Sequence, residues 1–299
     1  MIAWVQDAPG RDAFGPAPDG VTVEDFPQDV AAAPSREAVE FIVPRYARDL
    51  VFDALPALRV VQVRSAGVDW IVDRVPPGVI LCDAAGARDA AMAEWVVGAL
   101  LADAKNARAC AEQQARHEWA SVPLRDLAGV RVLILGHGAI GRAVAARLEP
   151  FGVDLVPVAR TPRDGVHGIE ELDALLPGVD AVVNLLPLTP QTDGLVGAGV
   201  LGRLPDGALF VNAGRGRTVD TAALVAALGS GRLRAVLDVV DPEPLPPDHP
   251  LWTAPNVLLS PHSAGDTPGA DRAAWALAGE QLRRYAAGEP LRNVVEHGY

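Results

Sequence analysis

Residues 130–135 form an apolar run that leads straight into Gly136-His137-Gly138-Ala139-Ile140-Gly141, and helical spacing follows over 139–150. Few folds use that order. Three glycines between a strand and a helix serve a tight turn at Gly136, close approach of a pyrophosphate at Gly138, and close packing of helix on strand at Gly141. The first turn of the helix adds unpaired N–H groups and positive potential for phosphates. The glycine pattern alone is weak. Its place inside a strand–helix–strand repeat predicts a dinucleotide site rather than an ordinary tight turn.

That repeat continues down the chain. Strands are expected at 131–135, 153–158, 180–185, 208–212, 234–239 and 257–260, with helices at 139–150, 169–176 and from about 220 to 228. Strands alternating with helices imply right-handed crossovers and a doubly wound parallel sheet. Upstream, apolar runs at 2–5, 39–43, 59–63 and 79–82, with a weaker one at 21–26, predict a small α/β unit with buried strands. Residues 89 to about 119 hold no proline and are expected as one long helix. Its first half is apolar at Met92, Trp95, Val96, Ala99 and Leu100, and its second half is polar. A last helix at about 267–287 would fold back onto the first unit.

The 299 residues are 49% hydrophobic and 21% charged, which suits two domains with a large core and excludes disorder. A net charge of −12 speaks against general binding of nucleic acid or anionic membrane, and leaves room for a local pocket for a small anion. No signal peptide is read at Met1, and no apolar run reaches the ~18 residues of a membrane span. A cytoplasmic setting is the expectation. Cys82 and Cys110 form no CxxC, no cluster has metal-ligand spacing, and GxSxG and Walker patterns are missing.

NAD sites usually place an acid near the end of the second strand, for the ribose 2′-OH. Here Val158-Ala159-Arg160-Thr161-Pro162-Arg163 puts Ala159 in that place. Arg160, with Thr161 and Arg163 close by, suits a 2′-phosphate, because a guanidinium can give it two parallel hydrogen bonds. NADP(H) is therefore expected over NAD(H); the alternative is a solvated loop arginine. Ligands of such sheets bind beyond the carboxyl ends of the strands. The polar residues there are Arg215, Asp238, Glu243 and His262. Each has an ordinary alternative as turn residue, amide cap, loop charge or core histidine. Together on one edge, a cation, two carboxylates and an imidazole point to a site. His117, His137, His167, His249 and His297 are weaker candidates, and Asp220 reads as a helix N-cap.

These pieces, in this order, resemble the D-isomer-specific 2-hydroxyacid dehydrogenases over roughly Ala66 to His262. The match runs through Ser65-Ala66-Gly67-Val68-Asp69, Met92-Ala93-Glu94-Trp95, the glycine loop, Leu186-Pro187-Leu188-Thr189-Pro190-Gln191-Thr192 and Val211-Asn212-Ala213-Gly214-Arg215-Gly216. It continues through Leu237-Asp238-Val239, Pro242-Glu243-Pro244-Leu245-Pro246 and Ser260-Pro261-His262. The strings PEPLP, HPL and ARTPR most resemble the glyoxylate/hydroxypyruvate reductase branch.

The resemblance implies an α/β architecture: a Rossmann doubly wound parallel sheet over 91–267, and a smaller flavodoxin-like α/β substrate domain over 1–90 and 268–299. A cleft would lie between them, usually in a homodimer. It implies NAD(P)-dependent reduction of a small 2-oxo acid to the D-2-hydroxy acid, with Arg215, Glu243 and His262 as the catalytic set. The substrate would be held by amides at Ala66 and Gly67, with Arg215 and His262. The implied cofactor contacts are Gly136, Gly138, Ala139, Ile140, Gly141, Arg160, Thr161, Arg163, Leu186, Pro187, Thr192, Ala213, Gly214, His262, Gly265 and Asp238, the last on the nicotinamide carboxamide. No metal is implied. Arg45, Tyr46, Arg48, Arg64 and Trp252 are specificity candidates, and Trp119 is a candidate for a neighbouring subunit's site. A phosphite dehydrogenase and a dinucleotide-binding corepressor keep similar residues and stay open as alternatives. The chain departs from many relatives in its reduced first domain and in Ala159.

Overall fold

The computed structural model describes residues 1–45 and 52–295; Tyr46, Arg48 and His297 lie outside the described residues. The chain divides into two compact units, Met1–Arg88 with Asp266–Tyr299, and Asp89–Gly265. The boundaries expected from sequence fall two residues later at each crossing.

In the smaller unit five parallel strands, β1 (Ile2–Val5), β2 (Thr22–Asp25), β3 (Val39–Val43), β4 (Val60–Gln62) and β5 (Ile80–Cys82), lie in the order β2-β1-β3-β4-β5. This is the flavodoxin-like order. β1, β3 and β4 are almost wholly buried, which is why they read as unbroken apolar runs. β2 is an edge strand of sequence TVED with no fully buried residue, hence its faint signal. The C-terminal helix Pro268–Ala286 buries Trp275, Ala278 and Leu282 with Val5, Phe41 and Val43 of the sheet. A Cβ at Gly279 would lie 1.9 Å from the Phe14 carbonyl oxygen, so only glycine allows that approach.

The larger unit opens with α1 (Asp89–Ala104) and α2 (Ala107–Ala115). Then follow β6 (Arg131–Leu135), α3 (Ala139–Leu148), β7 (Asp154–Ala159), β8 (His167–Gly168), α4 (Leu172–Leu175), β9 (Ala181–Asn184), α5 (Ala198–Arg203), β10 (Leu209–Asn212), α6 (Thr221–Gly229), β11 (Arg234–Leu237) and β12 (Val257–Leu259). All pair in parallel, in the order β12-β11-β10-β9-β6-β7-β8. Alternate strand residues serve two cores, as the two-residue period requires. Leu133, Val182, Phe210 and Leu237 pack with α4 to α6, while Ile134, Val183, Val211 and Val236 pack with α1 and α3.

Three expectations differ from what is observed. The long helix over 89–119 is two helices, broken where Asn106 takes a φ of 50°. Asparagine tolerates that left-handed region. α1 buries Val96, Ala99 and Leu100, but α2 buries nothing, so no apolar face carries a helix on to 119. The 169–176 segment is a single α turn between 3₁₀ turns. The sequence reading also lacks α5 and the two-residue β8; α5 contains two glycines and buries only Leu201, too little for a period to register. No helix among the described residues is long and apolar enough to cross a membrane.

Candidate active site

Strand register sets the stage. Asn184, Asn212, Leu237 and Leu259 stand level at the carboxyl ends of β9 to β12, and Leu135 of β6 stands level with Asn184. Arg215, Asp238, Glu243 and His262 lie just beyond these ends, and the glycine loop leaves the same edge.

His262 Nδ1 and Glu243 Oε2 are 2.8 Å apart. The other carboxylate oxygen of Glu243 accepts the Val240 N–H at 2.9 Å, so both of its oxygens are held. The hydrogen bond and charge of Glu243 raise the His262 pKa, against burial and the opposing charge of Arg215. Burial works against the Glu243 anion, but the His262 and Val240 hydrogen bonds and the Arg215 charge outweigh it and hold the carboxyl below its usual range. The pairing uses Nδ1 and leaves Nε2 as the second ring nitrogen for a reacting group.

Asp238 is 3% exposed. Its carboxylate accepts the Ser260 hydroxyl at 2.6 Å and the amides of Ser263 and Ala264 at 2.9 Å each. Its carbonyl accepts the His262 amide at 2.8 Å. The buried Asp238 side chain thus fixes the 260–264 turn, and its bonds, with that of the Asp238 carbonyl, hold His262 at a φ of 51°. The amide-cap alternative read from sequence is realised here. Three of about four acceptor positions of a carboxylate are used.

The glycine loop is tight for reasons the sequence gives only in part. Gly136 has a φ of 105°, and a Cβ there would lie 2.9 Å from the Leu185 carbonyl. At Gly214 a Cβ would lie 2.7 Å from the Leu186 oxygen. The Leu185–Leu186 backbone therefore passes between two glycines. Gly141 is constrained by the carbonyl oxygen of Gly136, the residue directly after β6, 2.5 Å from where its Cβ would be. Gly138 is open: a Cβ there would meet nothing within 4 Å, and among the described residues no side chain caps α3. Open space before uncapped amides fits a pyrophosphate. Ala139 and Ile140 begin α3. Leu186 and Ala213 are buried, and Thr192 donates to the Pro187 carbonyl at 2.6 Å, closing the loop after β9.

Beyond β7, Arg160 and Thr161 are exposed. Arg163 folds back, donating to the His137 carbonyl at 2.8 Å and lying 3.3 Å from His137 Nδ1. Ala66 and Gly67 belong to the smaller unit, after β4, where the Ser65 hydroxyl donates to the Gly67 carbonyl at 2.7 Å. Gly265 ends the larger unit. Arg64 stacks over Trp275 at 4.4 Å, Arg45 and Trp119 are exposed, and Trp252 donates to the Pro246 carbonyl. His167 pairs with Glu171, His249 caps the 250–252 turn, and Asp220 caps α6. Among the described residues no group of three or more His, Cys, Asp or Glu could hold a metal ion. The sequence reading missed Asn184 and Thr218, buried polar residues at the same edge; a lone polar residue at a strand end carries no local signal.

Comparison with known proteins identifies the family. A sequence model described as D-isomer specific 2-hydroxyacid dehydrogenase, NAD binding domain, matches residues 97–264. A D-isomer specific 2-hydroxyacid dehydrogenase from Xanthobacter autotrophicus Py2, solved in complex with NADPH and MES, is 35% identical with a TM-score of 0.87, covering 99% of this chain and 98% of that one. An NADPH-dependent glyoxylate/hydroxypyruvate reductase from Sinorhizobium meliloti, in complex with NADP and sulfate, is 32% identical with a TM-score of 0.86, covering 99% and 98%. D-3-phosphoglycerate dehydrogenase from Methanocaldococcus jannaschii is 31% identical over 82% of this chain, which spans only 49% of that protein's length. The chain belongs to the D-isomer specific 2-hydroxyacid dehydrogenase family.

Proposed function

We propose that this protein reduces a small 2-oxo acid of the glyoxylate or hydroxypyruvate type to its D-2-hydroxy acid, with NADPH preferred to NADH. The observation that carries the reading is the His262–Glu243 pair at 2.8 Å, with Arg215 close enough for its charge to act on both. Similarity to the Sinorhizobium meliloti reductase supports the substrate class and the cofactor.

When bound, the nicotinamide cofactor supplies the hydride. The loop Gly136 to Gly141 and the first amides of α3 would hold its pyrophosphate, and Arg160, Thr161 and Arg163 would hold the 2′-phosphate. Asp238, which takes three hydrogen bonds on its side chain among the described residues, would take the carboxamide on the fourth position. Arg215 pairs with the substrate carboxylate and polarises the ketone, a preorganised electrostatic role. His262, kept cationic by Glu243, gives the Nε2 proton to the ketone oxygen. In the reverse direction neutral Nε2 takes the hydroxyl proton. A homodimer, on the strength of the family resemblance, and a cytoplasmic setting, as expected from the sequence, complete the proposal.

The test is direct. Protein, NADPH and glyoxylate are mixed and the absorbance of the reduced nicotinamide is followed. Turnover that depends on His262 is expected. Cofactor binding without turnover of any 2-oxo acid would overturn the enzyme reading in favour of an interaction protein, and turnover of phosphite alone would replace the substrate class.

A further inference from the structure

Three polar side chains are buried at the ends of β9 and β10 and beside them. Asn184 and Thr218 are fully buried and Asn212 is 1% exposed. Burying amides and hydroxyls costs free energy unless they are paired, and these are paired in a converging pattern. Asn184 Nδ2 donates to Asn212 Oδ1 at 3.0 Å and to Thr218 Oγ1 at 2.8 Å. Thr218 Oγ1 donates in turn to the main-chain carbonyl of Arg215 at 2.7 Å. Asn212 Nδ2 reaches that carbonyl at 3.4 Å and the Val239 carbonyl at 3.4 Å. Asn212 Oδ1 also takes the amide of Gly214, and Asn184 Oδ1 takes that of Leu186.

The neighbouring positions in these strands hold valine, leucine and phenylalanine, which fill a core without any desolvation cost. Packing alone does not ask for two asparagines and a threonine here. Thr218 and Asn212 both reach one backbone atom, the Arg215 carbonyl, which the Thr218 amide also reaches at 3.2 Å, and Asn184 braces the two side chains. That carbonyl belongs to the proposed cation of the site. Arg215 is extended there, with φ −137° and ψ 140°, at the mouth of a short 3₁₀ turn. Gly216 brings the same segment against Val240: a Cβ would lie 1.8 Å from the Val240 oxygen. The Val240 amide in turn holds Glu243.

We propose that Asn184, Asn212 and Thr218 are positioning residues, a buried clamp on the Arg215 carbonyl that fixes the direction of its guanidinium toward the carboxylate of a 2-oxo acid. This rests on the reading of Arg215 as substrate anchor. Thr218 is the member to test. Thr218→Val keeps the volume and removes the hydroxyl, Thr218→Ser restores the hydroxyl, and Arg215→Ala is measured in parallel, all with NADPH and glyoxylate.

The valine variant is expected to raise KM for glyoxylate about ten- to hundredfold, the scale of a misplaced binding group. Its Kd for NADPH, from fluorescence titration, should stay within about twofold, since the hydroxyl's side-chain and main-chain partners, Asn184 and the Arg215 carbonyl, are not among the proposed cofactor contacts. The serine variant should return KM to near the wild-type value. An unchanged KM in Thr218→Val, or a loss that serine does not recover, overturns the clamp; so does a loss that falls equally on NADPH binding. If the valine chain does not fold, Thr218→Ala is compared with Thr218→Ser on the same terms. A crippled Arg215→Ala beside an unaffected Thr218→Val overturns the clamp alone. Near-wild-type Arg215→Ala overturns the anchor reading and the clamp with it.

Discussion

His262 and Glu243 face each other across two loops that leave adjacent parallel strands, β11 and β12, with Nδ1 and Oε2 at 2.8 Å. The carboxylate cannot swing away, because its second oxygen is held by the Val240 amide. The imidazolium therefore has a fixed counter-charge, and its pKa lies above the ordinary histidine value of 6.5. In the proposed reduction the protonated ring is the donor, so activity should persist above pH 6.5 and fade as pH rises through the raised pKa. In oxidation the ring must be neutral and the dependence inverts. Glu243→Gln removes the charge and should move the alkaline limb of the reduction profile to lower pH. A limb of kcat/KM that stays in place would show that Glu243 does not set the protonation of His262.

Removing the proposed proton donor should be costly without unfolding the protein. His262 is half-exposed on its turn, and that turn is held by Asp238 through backbone atoms and Ser260, so the ring itself supports little. His262→Ala should lower kcat by ~10²–10⁴-fold, the usual range for general acid–base catalysis. Its thermal melting should be close to wild type. Full turnover in this variant would remove the assigned role.

Much of this site was legible because its signals are local. A glycine triplet between strand and helix, and charged residues one to a few positions past strand ends, can be read without knowing which strands touch. Asn184 and Thr218 could not be read that way. They are joined only because β9 and β10 are neighbours, while the sequence separates them by 34 positions. Gly216 hides its reason likewise, since the contact that excludes a Cβ comes from Val240 beyond the next strand. The helix break at Asn106 was missed for the opposite reason. Local composition there permits a helix; the break is one left-handed residue, Asn106, and the helix that follows buries none of its own residues.

Two glycines of one loop should respond differently to the same change. At Gly138 an added methyl meets nothing in the protein, so Gly138→Ala should melt like wild type. It would occupy the space proposed for the pyrophosphate, and Kd for NADPH should weaken at least about tenfold, or 1.4 kcal/mol. At Gly141 the methyl would press on the Gly136 carbonyl at 2.5 Å. Gly141→Ala should lose stability by about 1–3 kcal/mol, the range for overpacking. Calorimetry and cofactor titration on both variants separate the cases; tight NADPH binding by Gly138→Ala would mean the pyrophosphate lies elsewhere.

NADPH should give a higher kcat/KM than NADH. Ala159 ends β7 and offers no carboxylate to a ribose 2′-OH, so NADH lacks an anchor and a 2′-phosphate meets no opposing charge. Arg160 is exposed at the end of the strand. Arg163 is fastened across the glycine loop by its bond to the His137 carbonyl, which places a second guanidinium beside the turn proposed to hold the phosphates. A hydrogen bond to a charged group contributes about 1.5–3 kcal/mol, roughly 10- to 200-fold in affinity. Exposure of Arg160 pulls the effect toward the lower figure. Ala159→Asp combined with Arg160→Ala should reverse the preference, because the new carboxylate accepts from the 2′-OH and repels the 2′-phosphate. The measurement is kcat/KM for both cofactors in the wild type and the double variant. A wild-type preference for NADH would mean that Arg160 serves only solvent, and that Arg163 braces the loop without reading the cofactor.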